Sequence, residues 1–219
     1  MTFDWSIIWQ SMGALWQGAL VTIALTVLTM VLAVPLGIVV ALLRESRLKP
    51  VSALATAYVE LMRNVPIILV VYWAFYVLPI LTGVGFSPFL TGLVALVLNN
   101  TAYNSETFRS GIRSIRKGQT EAGLALGMSE GEAFRKIVLP QAWRRVLPIL
   151  ATTWVTLFKD TSLVSVIAVG DLAHTALQIR SQSFRVIEML TAMAAIYWLL
   201  GYPQAKIVDW IHRKYGVTE

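Results

Sequence analysis

Apolar residues follow one another without a single charge from Asp4 to Arg44 and again from Arg63 to Glu106. A helix needs about 20 such residues to cross roughly 30 Å of hydrocarbon, so both runs are long enough to span a bilayer. The second run is too long for one span and is divided by Pro79, Gly83, Gly85 and Pro88. Two further apolar stretches follow nearer the C-terminal end. The pattern predicts five helices, over Leu15 to Leu43, Val65 to Leu81, Phe89 to Phe108, Val146 to Gly170 and Ile187 to Val208. The fold class is therefore all-α integral membrane, read as one domain over residues 1–219 with a cytoplasmic region at 109–145.

Composition agrees with the pattern. The chain is 57% hydrophobic and 14% charged, with a mean hydropathy of +0.67, more apolar than a soluble domain needs to fill one core. Its net charge of +6 raises a nucleic-acid reading, but the basic residues sit beside the apolar spans, and no base-reading motif or aromatic-basic platform accompanies them. Topology accounts for them instead. Arg44, Arg47 and Lys49 follow the first span, eight Lys or Arg lie between Arg109 and Arg145, and Lys206, Arg213 and Lys214 follow the last. The positive-inside rule then places the N-terminus outside and the C-terminus in the cytoplasm. The segment before the first span carries Asp4 as its only charge and the span is too long for a signal core, so it reads as an anchor. With no cysteine and two isolated histidines, thiolate chemistry is excluded and no metal site can be assembled.

The cytoplasmic stretch is too long for a simple turn. Gln119 to Leu126 and Ser129 to Lys136 have helical composition, with Gly127 between them and Pro140 expected to end the second. Ser129 and Glu132 have the spacing of a capping box. A helix-turn-helix on the cytoplasmic face follows. Within it, Glu121, Ala122 and Gly123 are followed by three residues, Gly127, nine residues, then Ile137, Val138, Leu139 and Pro140. A short helix that seats in a groove of another protein wants small residues for close approach and a glycine to turn.

That spacing resembles the permease subunits of ATP-binding-cassette importers, whose cytoplasmic loop carries Glu-Ala-Ala, x3, Gly, x9, Ile-x-Leu-Pro; Gly123 stands where the pattern usually has alanine. The run Lys159-Asp160-Thr161-Ser162-Leu163-Val164-Ser165, the segment Arg63-Asn64-Val65-Pro66 and the five-span layout resemble the polar-amino-acid branch, which includes histidine, arginine, glutamine and glutamate systems. The resemblance implies a type I importer permease fold in the bacterial cytoplasmic (inner) membrane. It implies a dimer with itself or a sister permease, an extracytoplasmic amino-acid-binding protein, and a pair of ATPase subunits seated on Glu121, Ala122, Gly123, Gly127, Ile137, Leu139 and Pro140. The sequence separately requires that any ATPase be another chain: it holds no Gly-x4-Gly-Lys-Ser/Thr loop and no Gly-Lys dipeptide, so ATP and Mg belong to that partner and this chain is expected to carry no cofactor.

Lys159 and Asp160 fall within the apolar stretch from Val146 to Gly170. Intramembrane charges cost several kcal/mol unless paired or hydrated. They mark a pathway, form an internal ion pair, or cap a helix break with Thr161 and Ser162. A break would free amide groups for a substrate carboxylate. Arg63 is expected at the cytoplasmic end of its span, where snorkelling is the plain explanation, and is carried with Asn64 as a further pathway candidate; Asn99 and Asn100 could instead bond across helices. The resemblance also implies a specificity position: cationic-substrate relatives often have a glutamate six residues before the lysine, and here that residue is Thr153. A pocket of Thr152, Thr153 and Trp154 with Lys159 nearby favours an acidic or neutral amino acid, with glutamate and aspartate first. A channel or ion-driven transporter using Lys159 and Asp160 as a relay is the alternative, and it leaves the cytoplasmic signature without a role. A membrane enzyme is a third class, for which no nucleophile-base pair can be assembled.

Overall fold

The computed structural model describes residues 3–216, which are helical with short connections and contain no strand. Eight helices are used here: α1 (Ser6–Arg44), α2 (Lys49–Asn64), α3 (Ile67–Thr82), α4 (Pro88–Arg113), α5 (Lys117–Ala125), α6 (Glu130–Ile167), α7 (Leu172–Ser183) and α8 (Val186–Tyr215). By length and composition α1 and α8 are each sufficient to cross a membrane, and so are the bent pairs α2 with α3 and α6 with α7 if each is taken as one span. α4 has 26 residues, about 39 Å at 1.5 Å per residue, but its asparagines and serines make it less apolar than α1 and α8. It lies inside the bundle, with Leu96 and Ala102 fully buried.

Helices cover the five expected segments with shifted ends, although only α1 and α8 have by themselves the length and composition of a span, and four local features differ from the sequence reading. First, α2 precedes the second expected span and meets α3 at 108°. The break falls at Val65-Pro66, where the proline ring disfavours helical backbone in the residue before it. Pro66 has no N–H, so the Met62 carbonyl loses its helical partner; the Asn99 amide donates to it at 2.9 Å, and Tyr103 Oη donates to the Arg63 carbonyl at 3.4 Å.

Second, Pro140 does not end a helix. The turn Phe134–Val138 widens to a π turn, with the Leu139 N–H donating to the Phe134 carbonyl, and the helix continues through the proline. The same device recurs at Trp73–Val77, where Leu78 N–H donates to the Trp73 carbonyl just before Pro79. In both cases Leu-Pro follows the π turn, which shifts the backbone ladder by one residue and eases the clash that a proline makes inside a regular helix. Third, the helix carrying Lys159 does not break there. It tightens to 3-10 geometry over Thr161–Ile167, and the chain turns at Ala168, with φ of 61°. Fourth, α7 follows that turn, a helix the sequence reading left unassigned, and the buried Asp171 caps it by accepting from the His174 N–H at 2.9 Å.

α1 makes its most extensive packing with α4. Small residues allow it: a Cβ added at Gly37 would stand 2.7 Å from Asn104 Cβ, so only glycine permits the two backbones to approach this closely. Leu25, Leu96, Leu157 and Val164 form the core shared by α1, α4 and α6.

Candidate functional site

The signature residues form an elbow between α5 and the start of α6. α5 ends in a Schellman motif: Gly127 adopts φ of +83°, its N–H donates to the Leu124 carbonyl at 2.9 Å, and the Met128 N–H reaches back to the Gly123 carbonyl at 3.1 Å. The next helix starts two residues later with the expected capping box. Ser129 Oγ accepts from the Glu132 N–H at 3.3 Å, and Glu132 Oε2 accepts from the Ser129 N–H at 3.2 Å. Lys136, hydrogen-bonded to Glu132 at 3.0 Å, holds that carboxyl below its ordinary range.

The seven signature residues divide into two groups. Gly123 is buried and faces Ile137: a Cβ there would stand 2.8 Å from Ile137 Cδ1 and 3.1 Å from Ala133 Cβ. Gly123 and Ile137 thus close the elbow from opposite arms, and alanine at 123 would require Ile137 to give way. Gln141 Nε2 donates to Gln119 Oε1 at 3.2 Å across the same gap. Glu121, Ala122, Gly127, Leu139 and Pro140 are exposed. Leu126, 79% exposed beside them, carries no part of the signature; a leucine directly before the turn glycine was the signal available.

Within the membrane region a polar cavity of about 540 Å³ lies where the α2/α3 break, α4 and α6 meet. The break contributes Arg63 and Asn64, α4 contributes Asn99, Asn100 and Tyr103, and α6 contributes Thr152, Thr153, Thr156 and Asp160. The Asp160 carboxylate has no hydrogen bond or ion pair among the described residues. Arg63 is exposed at the end of α2. It stands 3.5 Å from Glu106 and over the Tyr103 ring, but Glu106 is already bound by Arg44 at 2.7 Å and faces Arg109 at 3.9 Å. Three guanidinium groups therefore surround one carboxylate, and Arg63, the one that lines the cavity, is not the closest of them.

Lys159 is elsewhere. It lines a second cavity of about 540 Å³ with Phe158, Tyr197 and Trp198, between α6 and α8, and makes no ion pair with Asp160 among the described residues. The pocket shared by Thr153 and Lys159, expected from the sequence, is not formed; Thr153 shares its cavity with Asp160. Trp154 also turns away, donating from Nε1 to Gln204 Oε1 at 2.7 Å. Thr161 and Ser162 are occupied locally: their hydroxyls donate to the carbonyls of Phe158 and Lys159, each at 2.8 Å, at the point where the helix tightens. Asn99 bonds across helices as described, and Asn100 donates to its own helix at the Leu96 carbonyl. Among the described residues no cluster of three His, Cys, Asp or Glu could hold a metal ion.

Residues 33–217 match the family model described as binding-protein-dependent transport system inner membrane component. Over 219 residues, covering 97% of this chain and 98% of the relative, the sequence is 34% identical to the glutamate/aspartate import permease protein GltK of Escherichia coli O6:H1. It is 35% identical over 215 residues, 98% of each chain, to the glutamine transport system permease protein GlnP of Escherichia coli K12. A crystal structure of an amino acid ABC transporter with histidines superposes with a TM-score of 0.92 at 30% identity, covering 98% of this chain and all of that one. An elbow built on the signature spacing, helices of membrane length and full-length likeness to these transport proteins agree: the chain belongs to the family of binding-protein-dependent transport system inner membrane components.

Proposed function

We propose that this chain is the permease subunit of an ATP-driven importer of polar amino acids, with acidic ones, glutamate and aspartate, first. It is not itself an enzyme. ATPase subunits dock on the elbow from the cytoplasm and bind ATP and Mg, a second permease subunit completes the channel, and an extracytoplasmic binding protein delivers the solute. The N-terminus lies outside and the C-terminus in the cytoplasm, because the basic residues gather at Arg44 to Lys49, Arg109 to Arg145 and beyond Lys206.

The observation that carries this reading is the polar cavity, with one free carboxylate and one partly engaged guanidinium on different helices. Its volume of about 540 Å³ lies in the range of small-molecule sites, about 300–1,000 Å³. An amino acid brings an ammonium and a carboxylate. Asp160 receives the ammonium, Arg63 receives a carboxylate, and Asn64 and Thr153, whose donors already bond the Glu60 and Ile149 carbonyls at 2.7 and 3.0 Å, offer their side-chain oxygens to the solute. Thr161 and Ser162 position Asp160 by fixing the helix turn that follows it.

The preference for acidic solutes rests on the surplus positive charge around Glu106 and on Thr153, which adds no carboxylate to oppose a second one on the solute. Lys159 has no part in it. Copurification of an ATPase subunit with this chain, followed by ATPase assays of the reconstituted complex with a panel of amino acids, tests the proposal. Stimulation by glutamate and aspartate above arginine is expected; no ATPase partner, or no response to any amino acid, contradicts it.

A further inference from the structure

A third cavity lies at the cytoplasmic end, where α1, α4 and α6 diverge. It is an apolar cavity of about 370 Å³. Its floor is made of the buried Ala41, Ala142 and Val146, and its wall is the Phe108 ring stacked on Trp143 at 6.4 Å. Towards the outside it is bordered by Leu42, 58% exposed, and Trp143, 45% exposed. Aliphatic and indole side chains bared to this degree next to an empty apolar space fit hydrocarbon rather than water.

The rim is charged. Arg109 and Arg113 donate to the same Glu45 carboxylate oxygen at 2.9 and 2.8 Å. The Arg109 hydrogen bond holds the Glu45 carboxyl below its ordinary range, so it is ionised at neutral pH. Through Arg109 the network continues to Glu106 and its partners. It contains four arginines (44, 63, 109 and 113) and two glutamates (45 and 106), a surplus of two positive charges. Arg113 remains 59% exposed, and a guanidinium has five N–H donors, more than one shared carboxylate oxygen satisfies.

We infer that this cavity holds one anionic phospholipid of the cytoplasmic leaflet, with an acyl chain against Phe108 and Trp143 and its phosphate on Arg109 and Arg113. An apolar chamber with a cationic rim matches both parts of such a lipid, whereas a free phosphate would use the rim alone and a neutral lipid the chamber alone. The site has a second consequence. Phe134 and Leu139, from the π turn and the Leu-Pro that end the elbow, also line it. A seated acyl chain therefore braces the segment on which the ATPase is proposed to dock. The inference rests on the proposed orientation, which puts Arg113 at the cytoplasmic face, and not on the identity of the solute.

The test is native mass spectrometry of the purified permease–ATPase complex, titrated in turn with phosphatidylglycerol, phosphatidylethanolamine and inorganic phosphate. The expected result is one retained phosphatidylglycerol per copy of this chain, at least tenfold preferred over phosphatidylethanolamine, with no displacement by phosphate. Arg113→Gln, and Arg109→Gln with Arg113→Gln, should lower retention about tenfold or more. Arg47→Gln with Lys49→Gln, which removes the same charge outside the cavity, should leave it intact. Equal retention of both lipids, displacement by phosphate, or equal loss in the control pair would overturn the inference. Because no readout involves transport, failure here is distinct from failure of the proposed solute.

Discussion

The elbow and the polar cavity are built in opposite ways. In the elbow, partners lie within 22 residues of one another, and the polar groups at its turn and cap meet within the elbow: Gly127 and Met128 donate to α5, Ser129 and Glu132 cap each other, and Gln141 reaches Gln119. The cavity draws on three helix regions up to 97 residues apart, from Arg63 to Asp160, and leaves Asp160 without a partner among the described residues. A closed set of hydrogen bonds makes a rigid surface for another protein. An open set, held at membrane depth where an unpaired charge is expensive, is what a solute with opposite charges completes.

Damage to the elbow's exposed face gives the largest expected effect. Glu121→Lys reverses a charge on an exposed side chain with no partner inside the elbow, so the fold should persist while ATP-driven uptake falls to background. Gly127→Asp should act alike, because φ of +83° disfavours a side chain by about 1–2 kcal/mol and changes the turn itself. Uptake assays with membrane-insertion controls decide it, and retained uptake in Glu121→Lys removes the elbow from the coupling route. Orientation is checked by cysteines at Ser129 and Thr82, which should label from opposite sides of the membrane; labelling of both from outside reverses the topology.

Changes in the cavity should be smaller and selective. Thr153→Glu places a second carboxylate near Asp160 and should weaken glutamate-stimulated ATPase about ten- to hundredfold, since a charge-assisted hydrogen bond is worth about 1.5–3 kcal/mol and 1.4 kcal/mol is about a factor of ten. Arginine should lose less or gain. An unchanged ranking of glutamate, glutamine and arginine means that Thr153 does not meet the solute. The smallest effect is expected at Gly123→Ala. Helix propensity favours alanine by about 1 kcal/mol, while the new methyl meets Ile137 Cδ1, so thermal stability should move by only a few degrees. Adding Ile137→Val, which deletes that Cδ1, should raise the melting temperature above that of Gly123→Ala alone; a further fall would show that Ile137 is needed to close the elbow.

The same contrast explains what was legible in the sequence. The elbow's helices, the Gly127 turn and the Ser129 to Glu132 box follow from spacing along one stretch. Pro140 lies inside a helix against expectation because a π turn absorbs a proline that a regular helix does not. In the cavity, helix geometry held a clue that the apolar context obscured. At about 100° per residue, positions 153 and 160 are seven apart and share a face to within about 20°, whereas 153 and 159 point about 120° apart. Thr152, Thr156 and Asp160 recur every four residues on that same side. What no local pattern provides is the far wall: Arg63 reaches the site because Pro66 breaks the helix and Asn99 and Tyr103 hold the broken end.

The central claim is that Asp160, and not its neighbour Lys159, meets the solute. It is tested by the amino-acid-dependent ATPase activity of the reconstituted complex at saturating binding protein, measured for Asp160→Asn and Lys159→Gln side by side. Asp160→Asn should raise the half-maximal concentration or lower the stimulated rate about ten- to hundredfold for every amino acid, since each carries the same ammonium. Lys159→Gln should change the response less than threefold and preserve the ranking of solutes. An Asp160→Asn complex that responds as the parent does, or a Lys159→Gln complex that selectively loses glutamate and aspartate, contradicts the account.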